Sequence, residues 1–129
     1  MDAKPKTILI ADDDMDIVDS MSAILDLSGY EVLHVNDGTS VMQAVKALPD
    51  LVLLDIQMPG HDGQMVCKQL KRQASTKDIP VMIISASIDV QRKAEMAGAD
   101  DYLEKPFDMY ELQRKVFTLL NRQQHSSLM

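Results

Sequence analysis

Three short apolar runs in the chain pass directly into polar residues. They are Thr7–Ala11, Leu51–Leu54 and Val81–Ile84. A short apolar run bounded by polar and turn residues is typical of a strand buried on both faces, as in a parallel sheet. Weaker patterns at about 30–35 and 101–104 predict two further strands. The pattern therefore predicts five strands, three of them buried on both faces.

Segments with the helical spacing of apolar residues separate these strands. Between Ile17 and Ser28 apolar side chains recur every three or four positions, and Gly29 is placed to end that helix. The predicted helices cover about residues 17–28, 40–48, 64–73, 90–97 and 108–122, and Pro49 and Gly98 end two of them. Strands that alternate with helices indicate βαβ units. With right-handed crossovers they form a doubly wound, three-layer α/β sandwich around a parallel sheet.

Composition limits the classes of function. A chain of 129 residues with 46% hydrophobic residues is typical of one globular domain. Its net charge of −7 argues against nucleic-acid binding through a basic surface. The single cysteine, Cys67, excludes an internal disulfide and fits a reducing, cytoplasmic location. No apolar run in the sequence reaches membrane-spanning length.

Polar residues follow four of the predicted strands. The acidic run 12–14 comes after the first strand, Asp55 after the third, Ser85 after the fourth and Lys105 after the fifth. The carboxyl ends of parallel strands meet at one edge of the sheet, where open α/β proteins bind ligands. We therefore expect one site with carboxylates, a hydroxyl and an ammonium. Taken alone, Asp55 would more simply be a turn or cap residue.

The chemistry of such a site favours phosphoryl transfer. Clustered carboxylates repel one another and need a cation, and their oxygens suit Mg²⁺ better than Ca²⁺ when few ligands leave room for water. No Cys or His lies near these four strand ends, so zinc is disfavoured. Asp carboxylates accept phosphoryl groups, a transfer that needs mainly positioning and charge neutralisation. Asp55 is thus predicted to be phosphorylated, beside Mg²⁺, Lys105 and Ser85.

Four motifs at these strand ends resemble the signatures of response regulator receiver domains, a family that includes the chemotaxis regulator. In chain order they are D-D-D at 12–14, D-I-Q-M-P-G-H-D-G from Asp55, I-I-S-A around Ser85, and D-Y-L-E-K-P-F from Asp101. The resemblance covers about residues 6–122. It implies a flavodoxin-like (βα)5 fold with strand order 2-1-3-4-5, as one domain over 1–129 with a short polar tail at 123–129.

The resemblance also assigns roles to individual residues. It implies that Asp55 accepts the phosphoryl group and that Lys105 assists. The implied ligands of Mg²⁺ are Asp12, Asp13, Asp55 and the main-chain carbonyl of Gln57. Ser85 and Tyr102 match the switch residues that respond to phosphorylation. The Lys105–Pro106 peptide bond is expected to be cis.

The resemblance implies a phosphoacceptor of two-component signalling or a phosphorelay, not an enzyme acting on other substrates. Its partners would be a histidine kinase or phosphotransfer protein and a downstream target or output domain, with no direct nucleic-acid or membrane binding. Either a single-domain regulator or a receiver cut from a longer regulator or hybrid kinase fits the sequence.

Two rival functions fit the sequence poorly. A phosphatase of the haloacid dehalogenase type needs a second Asp two residues after its nucleophile, and here that position is Gln57. A flavodoxin-like flavin binder needs a phosphate-cradling loop after the first strand, where the acidic run 12–14 would repel a phosphate.

Residues around the predicted site receive ordinary structural interpretations. Asp14 and Asp62 are expected to begin helices, because carboxylates favour helix N-termini. His34 is expected to be solvated. Tyr110 and Phe117, seven residues apart beside the apolar stripe of the last helix, indicate rim packing or a docking face, and rim packing is favoured.

Overall fold

The computed structural model of the chain describes residues 4–58 and 62–126, with side chains up to residue 122. The strands are β1 Thr7–Ala11, β2 Glu31–Val35, β3 Leu51–Asp55, β4 Val81–Ser85 and β5 Asp101–Glu104. The helices are α1 Met15–Leu27, α2 Gly38–Ala44, α3 Gly63–Arg72, α4 Val90–Ala97 and α5 Met109–Ser126, with a short 3₁₀ helix, Val45–Ala47, after α2.

The five strands form one parallel sheet in the order β2-β1-β3-β4-β5. This confirms the predicted doubly wound fold and its strand order. In the register of the central strands Asp55 pairs with Ile84, and Ser85 pairs with Glu104. The ends of β3, β4 and β5 therefore lie side by side at one edge of the sheet.

Helices cover both faces of the sheet, which explains the apolar runs. Every residue of β3 and of β4 is buried. Successive side chains alternate between the faces, as they do in any strand. Leu53 belongs to the core beneath α1 and α5, whereas its neighbour Leu54 belongs to the core beneath α2, α3 and α4. A strand that is packed on both faces has no solvent-exposed positions, so its sequence shows no alternation of apolar and polar residues.

Side-chain caps begin the two helices that border the predicted site. The Asp14 carboxylate accepts hydrogen bonds from the amides of Asp16 and Ile17, at 3.1 and 3.4 Å. The Asp62 carboxylate accepts one from the Gln64 amide at 2.8 Å. Both predicted helix starts are confirmed. The predicted turn at Pro59–Gly60 lies outside the described residues.

Two helices differ from their predicted limits by more than two residues. The second begins at Gly38, because Asp37 caps it, and gives way to the 3₁₀ helix before Leu48 takes a left-handed conformation with φ 56°. The residue before a proline is disfavoured in a helix, so Leu48 cannot continue it into Pro49. The last helix runs to Ser126, past the predicted end at Arg122. Gln123 and its neighbours favour helix, and neither Gly nor Pro stops them.

The outer side of α5 carries two exposed aromatic residues. Tyr110 is 83% exposed and Phe117 is 61% exposed, so the favoured interpretation of rim packing is wrong. The inner side of the helix packs through Leu112, Val116 and Leu119, as the apolar stripe predicts. Among the described residues, no helix combines the length and the apolar character needed to cross a membrane.

Candidate functional site

The ends of four strands bring the predicted site residues to one edge of the sheet. Asp12 follows β1, Asp55 ends β3, Ser85 ends β4 and Lys105 follows β5. Asp12 and Asp55 are 1% and 4% exposed, and Ser85 is fully buried. The Lys105 amide also donates to the Ser85 carbonyl at 2.8 Å, which ties the loop after β5 to the end of β4.

The Lys105 ammonium joins two of the carboxylates. Its Nζ lies 3.0 Å from Asp12 Oδ2 and 3.0 Å from Asp55 Oδ2. The Lys105–Pro106 peptide bond is cis, as predicted. Asp12 and Asp55 come from different strands, so the lysine bridges residues 43 positions apart in the chain.

Backbone amides hold the remaining oxygens of these carboxylates. Asp12 Oδ1 accepts from the Asp14 amide at 2.9 Å, and Asp55 Oδ1 accepts from the Gln57 amide at 2.9 Å. Each buried carboxylate therefore has one oxygen fixed by the main chain and one facing Lys105. The orientation of both groups is set by the fold before any ligand arrives.

Asp13 completes an acidic cluster with these two residues. Unlike them it is exposed, and one carboxylate oxygen from each of Asp12, Asp13 and Asp55 lies within 4.8 Å of the others. Carboxylate oxygens are the ligands that hard divalent cations prefer. An open side at Asp13 also leaves room for water ligands, which Mg²⁺ retains in proteins. The donor set thus fits such a cation.

The ionisation of the site reflects its burial. Burial raises the pKa of Asp55, as does the nearby Asp12 charge, although hydrogen bonds from Gln57 and Lys105 act in the opposite direction. For Lys105, burial acts to lower the pKa, but the hydrogen bonds to Asp12 and Asp55 outweigh it and the pKa is raised. Lys105 therefore stays charged at neutral pH. Ionisation of the buried Asp55 carboxyl group costs free energy, and a further cation would reduce that cost.

The other predicted residues surround this centre. Ser85 Oγ accepts a hydrogen bond from the Ser87 amide at 3.0 Å. Tyr102 is half-buried against the core, with the Lys115 ammonium 4.7 Å from its ring centroid. Gln57 is exposed and forms an isolated antiparallel bridge with Asp62. The switch roles of Ser85 and Tyr102 and the carbonyl ligand at Gln57 stay predictions.

Two contacts near the site are not indicated by the sequence. His34, expected to be solvated, is half-buried, and its Nε2 lies 3.0 Å from the Asp12 carbonyl oxygen. Gly63 packs directly on the end of β3, where an added Cβ would lie 2.4 Å from Ile56 Cα. The only sequence signal for Gly63 was the Asp-Gly dipeptide, which marks a turn but not a close approach.

Comparison with known proteins identifies the family. The sequence profile of the response regulator receiver domain matches residues 8–117. The DNA-binding dual master transcriptional regulator RpaA of Synechocystis is 44% identical over 118 residues, which are 89% of this chain and 49% of that protein. The chain thus spans about half the length of the curated relatives it matches.

Solved structures agree with this result. A CheY-like response regulator receiver domain protein from Methanospirillum hungatei has a TM-score of 0.86 and 28% identity, over 95% of this chain and 98% of that one. The response regulator TrrA of Thermotoga maritima, solved in complex with Mg²⁺ and a beryllium fluoride, has a TM-score of 0.80 and 30% identity, over 88% and 98%. The chain therefore belongs to the response regulator receiver domain family.

Proposed function

We propose that Asp55 accepts a phosphoryl group from a phosphorylated histidine of a kinase or phosphotransfer protein. The observation that carries this proposal is the convergence of Lys105 Nζ on Asp12 Oδ2 and Asp55 Oδ2, each at 3.0 Å, at the edge of the sheet. A buried carboxylate beside an ammonium and two further carboxylates is suited to receive an anionic group once a cation is present.

In the proposed transfer, the phosphorus–nitrogen bond of the donor histidine breaks as a phosphorus–oxygen bond to Asp55 forms. The electron pair of the broken bond returns to the histidine ring. Lys105 offsets the charge of the phosphoryl oxygens, and the Gln57 amide keeps the Asp55 carboxylate oriented through its 2.9 Å hydrogen bond. Mg²⁺, when bound, would supply the remaining charge neutralisation, and we assign Asp12, Asp13, Asp55 and the Gln57 carbonyl to hold it.

The phosphoryl group would also change a partner-binding surface. A phosphate brings about −1.5 to −2 charges and several acceptor oxygens into the site. We expect Ser85 to turn towards it and Tyr102 to fill the vacated space, because packed interiors do not tolerate voids. Tyr102 lies on β5 between α4 and α5, so its movement would remodel the surface made by these three elements.

The catalysis would be confined to the domain's own phosphorylation and dephosphorylation, in the cytoplasm. A phosphatase that acts on other substrates is disfavoured because Gln57, two residues after Asp55, has no acidic group. The chain is about half the length of RpaA, a DNA-binding regulator. That difference favours a receiver whose output lies in further sequence over a single-domain regulator.

Acetyl phosphate, a small-molecule donor, tests the proposal. Intact-mass measurement should show about one added phosphate in the presence of Mg²⁺, and no addition with EDTA or in Asp55→Ala. Asp13→Asn should slow labelling, whereas the matched control Asp14→Asn should label like wild type, because Asn retains the helix cap. Equal labelling of wild type and Asp55→Ala would contradict the proposal.

A further inference from the structure

The loop between β4 and α4 joins the Ser85 hydroxyl to a cluster of polar side chains. Ser85 Oγ accepts from the Ser87 amide at 3.0 Å. The Ser87 hydroxyl in turn donates to Asp89 Oδ1 at 3.1 Å and accepts from Lys93 Nζ at 3.0 Å. Ser87, Asp89 and Lys93 are all half-buried and form what we call the loop cluster.

Asp89 is unusual among the aspartates that begin helices in this chain. Asp14, Asp37 and Asp62 each accept a hydrogen bond from an amide in the first turn of their helix. Asp89 occupies the same position before α4 but makes no such bond, and its backbone lies at φ −103° and ψ 32°. Its carboxylate contacts Ser87, Arg92 and Lys93 instead. The Asp89 carboxylate thus binds within the loop cluster and does not cap α4.

Lys93 links the loop cluster to the neighbouring helix. Its ammonium lies 3.0 Å from Ser87 Oγ and 3.5 Å from Asp89 Oδ1. Its carbonyl accepts a hydrogen bond from the Gln64 side chain of α3 at 3.3 Å. Arg92 is different, because its guanidinium contacts Asp89 Oδ2 at 3.0 Å from the solvent side, with its side chain 68% exposed.

We propose that the loop cluster holds the unphosphorylated conformation, with Lys93 and Asp89 as positioning residues that act through Ser87 on Ser85. This inference rests on the proposed function of Asp55. A turn of Ser85 towards a phosphoryl group on Asp55 moves its Oγ away from the Ser87 amide, so the loop must rearrange. Release of Asp89 from Ser87 then leaves its carboxylate available to cap α4. Loss of the loop cluster should therefore favour the phosphorylated conformation.

Beryllofluoride with Mg²⁺ imitates the acyl phosphate and can be titrated against the full chain by NMR. Lys93→Met should bind beryllofluoride about two- to fivefold more tightly than wild type, the range expected for a partly exposed ion pair. Mg²⁺ affinity, titrated alone, should not change. Lys93→Arg should restore most of the wild-type affinity. The matched control Arg92→Gln should bind as wild type does, because it removes an Asp89 contact without touching Ser87.

A double-mutant cycle tests the route through Ser87. Ser87→Ala should also tighten beryllofluoride binding, and Ser87→Ala with Lys93→Met should add little to the larger single effect, because both remove the same interaction. Unchanged or weaker beryllofluoride binding in both single variants would overturn the inference. Failure of the wild type itself to bind beryllofluoride in Mg²⁺ would instead count against the proposed function of Asp55.

Discussion

Replacement of Gly63 by alanine should disturb the phosphorylation site from outside it. Gly63 begins α3, and its amide donates to the Ile56 carbonyl at 3.2 Å. A Cβ at this position would lie 2.4 Å from Ile56 Cα and 2.7 Å from the Asp55 carbonyl oxygen. Carbon atoms in contact are normally about 3.5–4.0 Å apart. Both obstructing atoms belong to the main chain, so no side-chain rotation can relieve the overlap.

The loss in free energy of unfolding caused by Gly63→Ala should lie at the upper end of the range for overpacked cores. Inserted groups in a packed core typically cost about 1–3 kcal/mol, and occasionally more. We expect about 3 kcal/mol here, because more than an ångström of backbone separation is needed. For a chain of this size that corresponds to a fall in Tm of about 10–15 °C. The shift should also displace Asp55, so beryllofluoride binding should weaken at temperatures where the variant is still folded.

Gly98→Ala is the matched control. Gly98 has φ 78°, and a Cβ there would meet only Lys71 Cγ, at 3.9 Å. Its cost should be limited to the left-handed conformation, about 1–2 kcal/mol, with beryllofluoride binding intact. Thermal unfolding and a beryllofluoride titration of both variants decide the matter. If Gly63→Ala unfolds no earlier than Gly98→Ala and binds beryllofluoride normally, the described packing of α3 on β3 is wrong.

Three further predictions concern the site itself. In metal-free buffer near neutral pH, Asp55→Asn should raise Tm, because the folded state raises the pKa of Asp55 above its ordinary 3.8. The stability that the protonated Asp55 contributes is lost as the pH rises through its folded pKa, so the difference in Tm between variant and wild type should vanish below pH 3.8. A difference in Tm that does not change with pH would argue against this cause. Substitutions at Gln57 and Ser87 should change the rate of autodephosphorylation, measured by loss of phosphate from intact protein, with Mg²⁺ affinity nearly unchanged; no response at either position would place hydrolysis control elsewhere. When beryllofluoride and Mg²⁺ are added, NMR chemical-shift changes should reach Tyr102 and α4 in the wild type and be largely lost there in Ser85→Ala. Changes confined to the site loops of the wild type would mean that the domain binds without switching.

The fold was largely predictable because this sheet is buried on both faces. The apolar runs of β3 and β4 have no polar interruption, and turn residues bound them, so their limits were read to within a residue. The convergence of Asp12, Asp55 and Lys105 followed from topology, since parallel strands place their carboxyl ends together. Helix ends were less predictable. The end of the second helix is set by the left-handed Leu48 before Pro49, and the continuation of the last helix past Gln123 depends on weak helix propensities.

The remaining contacts depend on the path of the chain in three dimensions. The approach of Gly63 to Ile56 is set by the connection from β3 to α3, which no periodicity describes. The contact of His34 with the Asp12 carbonyl arises because β2 pairs with β1, where His34 lies opposite Ile10. The strand order predicts that β2 lies beside β1, but not the register that sets His34 opposite Ile10. The sequence of β2 therefore does not indicate that the His34 ring reaches the Asp12 carbonyl.

Chemical mapping of the phosphorylated residue tests the central claim most directly. Borohydride reduces an aspartyl phosphate to homoserine, so peptide mass spectrometry after acetyl phosphate treatment should find homoserine at position 55. The conversion should require Mg²⁺ and be absent from Asp55→Asn. Homoserine at position 12 or 13 instead, or a phosphate stable to borohydride on a hydroxyl or imidazole side chain, would contradict the assignment of Asp55 as the phosphoacceptor.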